Sequence, residues 1–226
     1  MKILITGGVG LLATRIAKYL NEEKNTVILA SRKVSQIKFL KKKNLIIKKI
    51  NWENNESIKK ICSNIDIIVH CAGPNAKDSQ SNLFENYIFS AKVFQNFLDI
   101  VVKKKVKKFF FISTVHVYSN NLKNNINELS RTTNTNPYAV NKILSEKVLS
   151  NYFLNNKLKG KILRLSNVIG APLTFNTNCW DLIANNMCLQ YFKNNKIVIN
   201  SEPSIKRNYV SMSDFLNIIN ILIKSN

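Results

Sequence analysis

Ile3-Leu4-Ile5-Thr6-Gly7-Gly8-Val9-Gly10-Leu11-Leu12-Ala13 decides the fold of this 226-residue chain. An apolar run short enough for a buried strand meets a glycine turn, and a helical period then continues through Arg15 and Tyr19. Gly7 permits the tight turn. Gly10 lets the main chain approach a pyrophosphate at the helix N-terminus, where unpaired amides and the helix dipole attract an anion. Ala13, the third small residue, still allows close helix–sheet packing. Gly7, Gly10, Leu11 and Leu12 are therefore the expected dinucleotide cradle.

Outward from this stretch, apolar runs alternate with helical periods. Val27-Ile28-Leu29-Ala30, Leu45-Ile46-Ile47, Ile65 to His70, Phe109 to Ile112 and Lys161 to Leu165 read as strands two to six. They are apolar throughout rather than alternating, as strands covered on both faces are. A long helix is expected over 81–102, and another around Tyr138. The fold class is α/β: a Rossmann-type, doubly wound parallel sheet. Beyond Gly170 the pattern loosens, with a helix expected over 178–192, a short strand over 196–199 and a closing helix over 213–223. The loop from Ser119 to Asn136 is long, polar and rich in asparagine.

A hydrophobic fraction of 45% supplies a core and argues against global disorder. No apolar stretch approaches a membrane span and no signal peptide is expected, so the expected location is the cytoplasm. Cys62, Cys71, Cys179 and Cys188 are scattered, and with two histidines they build no zinc site, so no metal is expected and the thiols read as reduced and mostly buried. The formal charge of +21 is mainly lysine spread along the chain. Its densest runs, Lys41 to Lys43 and Lys103 to Lys108, fall where helices should end, where positive charge suits the dipole. Solvated helix ends are the preferred reading over a polyanion-binding surface, and nucleic acid is not an expected partner.

Tyr138-Ala139-Val140-Asn141-Lys142 carries the chemistry. Residues i and i+4 share a helix face, so Lys142 is expected beside Tyr138, lowering the phenol's pKa toward neutrality. At the end of the second strand stand Ser31-Arg32-Lys33, with no carboxylate for ribose hydroxyls. An arginine there can fork onto a 2′-phosphate, which favours NADP over NAD while leaving both open.

Together these residues resemble the extended short-chain dehydrogenases/reductases of the NAD-dependent epimerase/dehydratase family, most of which act on nucleotide-activated sugars. The resemblance runs through Thr6 to Gly10, Asp66 to Gly73, Asn86 with Ser90, Phe111 to Tyr118, Pro137 to Lys142, Arg164 to Gly170 and Arg207-Asn208-Tyr209-Val210. It implies catalytic roles for Thr114, Tyr138 and Lys142: a hydroxyl on the sugar oxygen, the acid/base, and a ribose-binding ammonium. It implies cofactor contacts from Ser31, Arg32, Asn51, Trp52, Cys71, Ala72, Gly73, Asn86, Ser113, Asn167 and Val168, besides the cradle. Thr114, His116, Asn167, Asn178 and Arg207 are the implied substrate contacts. It also implies a homodimer, through a four-helix contact of residues 81–102 and 137–154.

Departures narrow the expectation. Family dehydratases carry acidic residues after the threonine, where this chain has Val115 and His116, which disfavours a 4,6-dehydratase. Ser119 stands where the family usually has glycine, and Asn208 where it usually has aspartate. Family members commonly run on beyond position 226, so 1–170 is the expected NAD(P)-binding domain and 171–226 a small, shortened C-terminal substrate lobe. The expected function is hydride transfer at a carbinol or keto carbon of a nucleotide sugar, by an epimerase or a ketoreductase in polysaccharide precursor synthesis. Alternatives are a non-catalytic NAD(P)-binding regulator or RNA-binding relative, and a reductase of a small carbonyl.

Overall fold

β1 (Lys2–Thr6) is buried on both faces, with Ile3, Leu4 and Ile5 fully inaccessible, because helices cover the sheet on either side. The chain is seen here as a computed structural model that describes residues 1–118, 125–199, 202, 204 and 206–225. β2 (Thr26–Ser31), β3 (Leu45–Lys49), β4 (Ile67–His70), β5 (Lys108–Thr114) and β6 (Gly160–Leu165) join β1 in one parallel sheet of order β3-β2-β1-β4-β5-β6. The order reverses direction between β1 and β4. In such sheets the crevice for a ligand opens at that switch, outside the carboxyl ends of the strands. Thr6, Ser31, His70 and Thr114 all stand at those ends.

One core layer packs Ile16, Ala17 and Leu20 of α1 (Leu11–Glu22) and Phe215 and Ile219 of α7 (Met212–Lys224) against the sheet. The opposite layer takes α2 (Asn55–Ile61), α4 (Phe94–Lys103) and α5 (Pro137–Leu154), with Phe97, Phe109 and Phe111 at its centre. The doubly wound expectation is met.

Several boundaries differ from the sequence reading. The long helix begins as α3 (Leu83–Ile88), passes through a π turn at Phe89–Val93 and continues as α4. The fourth strand starts at Ile67 rather than Ile65 because Asp66 turns aside: its carboxylate accepts the Lys2 amide and pairs with Lys107. α2 was not expected; it is short, and its N-terminus is held by the Asn54 side chain accepting from the Ser57 amide. The helix expected over 178–192 is α6 (Ile183–Asn194), because 174–182 fold into turns tied by Thr177 N–H to Thr174 O and Leu182 N–H to Cys179 O. Lys196 to Ile199 is no strand; Gln190 holds Val198 at both its amide and its carbonyl. The second sheet instead pairs β7 (Asn167–Ile169) with β8 (Tyr209–Ser211). Cys62 and Cys179 are buried, Cys71 half-buried and Cys188 exposed, the last against expectation. Ser119 and the first part of the 119–136 loop lie outside the described residues.

Candidate active site

Gly7 has φ +87°, and a Cβ there would meet the Cys71 carbonyl carbon at 2.9 Å and the Ala72 nitrogen at 3.0 Å. Glycine is therefore obligatory, and it brings the β1–α1 turn against the loop after β4. Gly8, which the sequence reading passed over, is as constrained: a Cβ would lie 2.8 Å from that of Ser31. Its amide donates to Ala30 O at 3.0 Å, drawing the turn onto the end of β2. Gly10 caps α1 without a side chain, and the first turn of α1 carries no acidic residue, so nothing of the chain competes for an anion. This cradle, floored by three close backbone segments, fits a dinucleotide.

Thr6 and His70 join that floor and were also missed. Thr6 Oγ1 lies 3.0 Å from His70 Nδ1 and accepts the Ala72 amide at 3.3 Å, pinning the Cys71–Gly73 loop. His70 is buried among the rings of Trp52, Phe94, Phe97, Phe109 and Phe111. Burial pushes its pKa down to about 3, so the imidazole is neutral and can accept the Thr6 hydroxyl proton. The sequence signal was present: a threonine directly before the turn, and a histidine ending an apolar strand.

The expected cofactor residues divide. Ser31 is buried, with its hydroxyl accepting the Lys33 amide at 3.0 Å, and Arg32 is exposed beside it. Asn51 follows Ile50, whose amide donates to Ser31 O at 3.1 Å, so it too borders the end of β2. Trp52 has its indole buried in the second core layer, edge-on to Phe97 at 5.2 Å. Asn86 holds the preceding turn, donating to Asp78 O at 2.8 Å and Ser81 O at 2.6 Å. The Ser113 hydroxyl donates to Glu146. Asn167 gives its amide side chain to Asn208 O at 3.0 Å, and Val168 packs on the first core layer.

α5 starts abruptly because Asn136 accepts the Tyr138 amide at 3.0 Å and Pro137 fits the first turn. Tyr138 is thereby set opposite the end of β5, where the Thr114 side chain is close enough to its hydroxyl to favour the phenolate. The Thr114 hydroxyl also accepts the His116 amide at 3.2 Å. The His116 ring stands 6.3 Å from that of Tyr138. Burial and the charge of Arg207 both hold His116 below its usual pKa, which puts Arg207 within electrostatic reach of the group. Asn178 is exposed in the turns before α6.

One expectation fails. The Tyr138 pKa is raised, not lowered: burial opposes the phenolate, and the opposing influence is the Thr114 side chain. Lys142 turns its ammonium away, donating to Ile112 O at 2.9 Å and lying 5.0 Å from the Phe111 ring centre. A Cβ on Gly73 would stand 3.8 Å from that ammonium, so Lys142 meets the loop that Gly7 supports. Burial lowers its pKa to about 8. Asn141, not singled out in sequence, locks the arrangement from behind: it accepts from Ser90 in the π turn at 2.8 Å and donates to Ser79 at 3.2 Å.

A glycine turn facing a tyrosine, a threonine and a lysine is the arrangement expected of a short-chain dehydrogenase/reductase. The chain belongs to the NAD dependent epimerase/dehydratase family, whose model matches residues 3–226. It is 27% identical over 251 residues to the dTDP-D-glucose 4,6-dehydratase of Dictyostelium discoideum, a match covering 99% of this chain and 55% of that protein. It is 29% identical to the UDP-glucose 4-epimerase of Mycoplasma genitalium, over 81% of this chain and 58% of the relative. The chain thus spans little more than half the length of these relatives. Among solved structures, the UDP-glucose 4-epimerase of Thermotoga maritima superposes with a TM-score of 0.87 at 22% identity, covering all of this chain and 74% of that one. The Bacillus cereus UDP-glucuronic acid 4-epimerase, solved with UDP-glucuronic acid and NAD, superposes at 0.85 with 21% identity and the same coverage. Among the described residues, no helix is long and apolar enough to cross a membrane and no acidic, histidine or cysteine cluster could hold a metal ion.

Proposed function

We propose that this chain carries the cofactor half and the catalytic residues of an NAD(P)-dependent enzyme that moves a hydride at a carbinol or keto carbon of a nucleotide-activated sugar. The approach of Tyr138 to Thr114, with Lys142 of the same helix beside the Cys71–Gly73 loop, is the observation that carries this reading. The nicotinamide, when bound, supplies the hydride acceptor and donor. Thr114 orients the sugar oxygen, and Tyr138 gives or takes its proton. Lys142 is placed at the Cys71–Gly73 loop to grip the ribose and to stabilise a phenolate once it forms. Arg207, with Asn178, is the counter-charge for a diphosphate, and residues 171–226 are part of a substrate lobe.

Epimerisation and keto-sugar reduction both fit these groups. The 4,6-elimination fits less well, because Val115 has no proton to give and His116 is a neutral base at best near pH 7. Arg32, exposed at the end of β2 with no carboxylate adjoining it in sequence, supports NADP, although solved relatives such as the Bacillus cereus epimerase carry NAD. The protein is assayed against UDP- and dTDP-sugars with each dinucleotide. Product without change in the nicotinamide absorbance band identifies an epimerase; stoichiometric change identifies a reductase. Dinucleotide binding without turnover on any sugar would refute the assignment in favour of a non-catalytic binding protein.

A further inference from the structure

We propose that the Glu146–Arg164 ion pair is a positioning unit that sets the Tyr138–Thr114 geometry, a role that rests on the reaction assigned above. Tyr138, Lys142 and Glu146 follow one another at four-residue steps, so one stripe of α5 faces β5. Glu146 is the deepest of the three anchors, with its side chain only 5% exposed. It receives the hydroxyl of Ser113, the residue beside Thr114. It also receives a two-pronged arginine: Arg164 Nε lies 3.1 Å from both carboxylate oxygens and Nη2 lies 2.7 Å from Oε2.

Arg164 sits directly across from Ser113 in the β5–β6 register. Its remaining nitrogen, Nη1, donates to the Tyr118 hydroxyl at 3.1 Å and to Glu128 O at 3.0 Å, and the guanidinium covers the Tyr118 ring at 5.0 Å. One carboxylate and one guanidinium therefore bind α5, β5, β6, the turn after Thr114 and the loop leading to Tyr138. Two of these five segments, β5 and α5, carry Thr114 and Tyr138 themselves.

Stability is a poor reason for this arrangement. Removing two charges from water costs about as much as their attraction returns, and well-packed apolar residues of similar volume often do as well or better. What apolar residues cannot supply is direction. The forked arginine fixes distances in two dimensions, and the Ser113 link transmits them to the adjoining Thr114. A displacement of about 1 Å between reacting groups can cost on the order of 10²-fold in rate.

The experiment compares wild type, Arg164→Met, the double variant Glu146→Leu with Arg164→Met, and Ser113→Ala in thermal unfolding, dinucleotide binding and turnover of the nucleotide sugar that wild type accepts. Arg164→Met should lower the melting temperature by leaving a buried carboxylate unpaired. The double variant should regain the wild-type melting temperature while its kcat stays roughly ten- to hundredfold down, with dinucleotide affinity and sugar KM unchanged. Its alkaline pH limb should move upward as Thr114 draws away from the phenol. Ser113→Ala, which leaves the ion pair intact, should fold normally and lose kcat severalfold, and this holds the proposal to account if the double variant does not fold. Wild-type kcat in either folded variant would show that the pair only braces the fold. A wild type silent on every sugar would instead overturn the reaction itself, and this role with it.

Discussion

Tyr138 and Lys142 lie one helical turn apart on α5, yet their polar ends have different neighbours: the phenol faces the Thr114 side chain and the ammonium bonds Ile112 O at 2.9 Å. The i to i+4 spacing correctly put both on one face, but it did not predict where a buried ammonium would find its hydrogen bond. A backbone carbonyl ending β5 outcompetes the phenol. In the proposed reaction the proton shuttle therefore starts as Tyr138 and Thr114. Tyr138→Phe keeps the ring packed against His116 and removes the exchangeable proton. Turnover should fall by roughly 10²–10⁴-fold with dinucleotide affinity nearly unchanged, as read by titration of the bound cofactor. Unaltered turnover would remove Tyr138 from the mechanism.

The buried ammonium gives stability a pH signature. Lys142 has its pKa lowered to about 8 from 10.5, so between those values the unfolded chain holds a proton that the folded chain has released. Stability then rises with pH across that window, because the unfolded state binds more protons. Below about pH 8 the cost of burying the charge is present in full. Lys142→Met removes it. The variant's stability, relative to wild type, should be greatest below pH 8 and should decline as pH climbs toward 10.5. Denaturant unfolding at several pH values measures this, and parallel curves would mean that Lys142 is protonated in the folded protein throughout.

The Thr6 hydroxyl is shared between the buried His70 Nδ1 and the half-buried Ala72 amide. Thr6→Val preserves shape and strands both. Each buried unsatisfied group costs about 1–3 kcal/mol, so a loss of that order should appear in denaturant unfolding. The Cys71–Gly73 loop should also loosen, weakening dinucleotide binding. A stable variant with wild-type affinity would show that the loop is held by packing alone.

Arg32 tests the reading of the second strand's end. It is exposed, and the sequence offers no carboxylate beside it to contact ribose hydroxyls. Arg32→Ala should weaken NADP(H) far more than NAD(H) in parallel titrations, because only the former carries the 2′-phosphate that a guanidinium forks onto. Equal losses would assign Arg32 to general electrostatic attraction.

The nucleotide half of the site was legible because its requirements are local. A strand of Ile3, Leu4 and Ile5, a glycine that must have positive φ and a small residue under the helix can be read without knowing what lies opposite. Tyr138 and Thr114 were found through motif order. What escaped depends on contacts between distant segments. The π turn at Phe89–Val93 is invisible to a 3.6-residue period, although it carries Ser90, whose carbonyl accepts the Ser145 hydroxyl at 2.8 Å. Trp52 was implied as a cofactor contact by the resemblance, but the rings of His70, Phe89 and Phe97 draw it inward. The 196–199 run has apolar residues but pairs with no strand, and Gln190 captures it at Val198 instead.

Turn chemistry was obscured for a related reason. The turns that enter β2, β3, β4, β5 and β6 carry Lys24, Asn44, Asn64, Lys105 and Asn156, all with positive φ between 54° and 68°. Glycine usually marks such positions, and this chain has six glycines in all. Asparagine tolerates the left-handed region through its short polar side chain, whereas lysine there clashes at its Cβ for about 1–2 kcal/mol. Glycine removes that clash and returns about 0.5–1 kcal/mol of it through greater freedom when unfolded. Lys24→Gly and Lys105→Gly should therefore each stabilise the protein by about 0.5–1 kcal/mol, or a melting-temperature gain of about 1–4 °C. Both side chains are exposed, and both residues precede the strands they enter, at the end of the parallel sheet opposite the carboxyl ends where Thr114 stands, so turnover should not change. A fall in melting temperature for either variant would mean that its lysine makes a stabilising contact worth more than the left-handed strain.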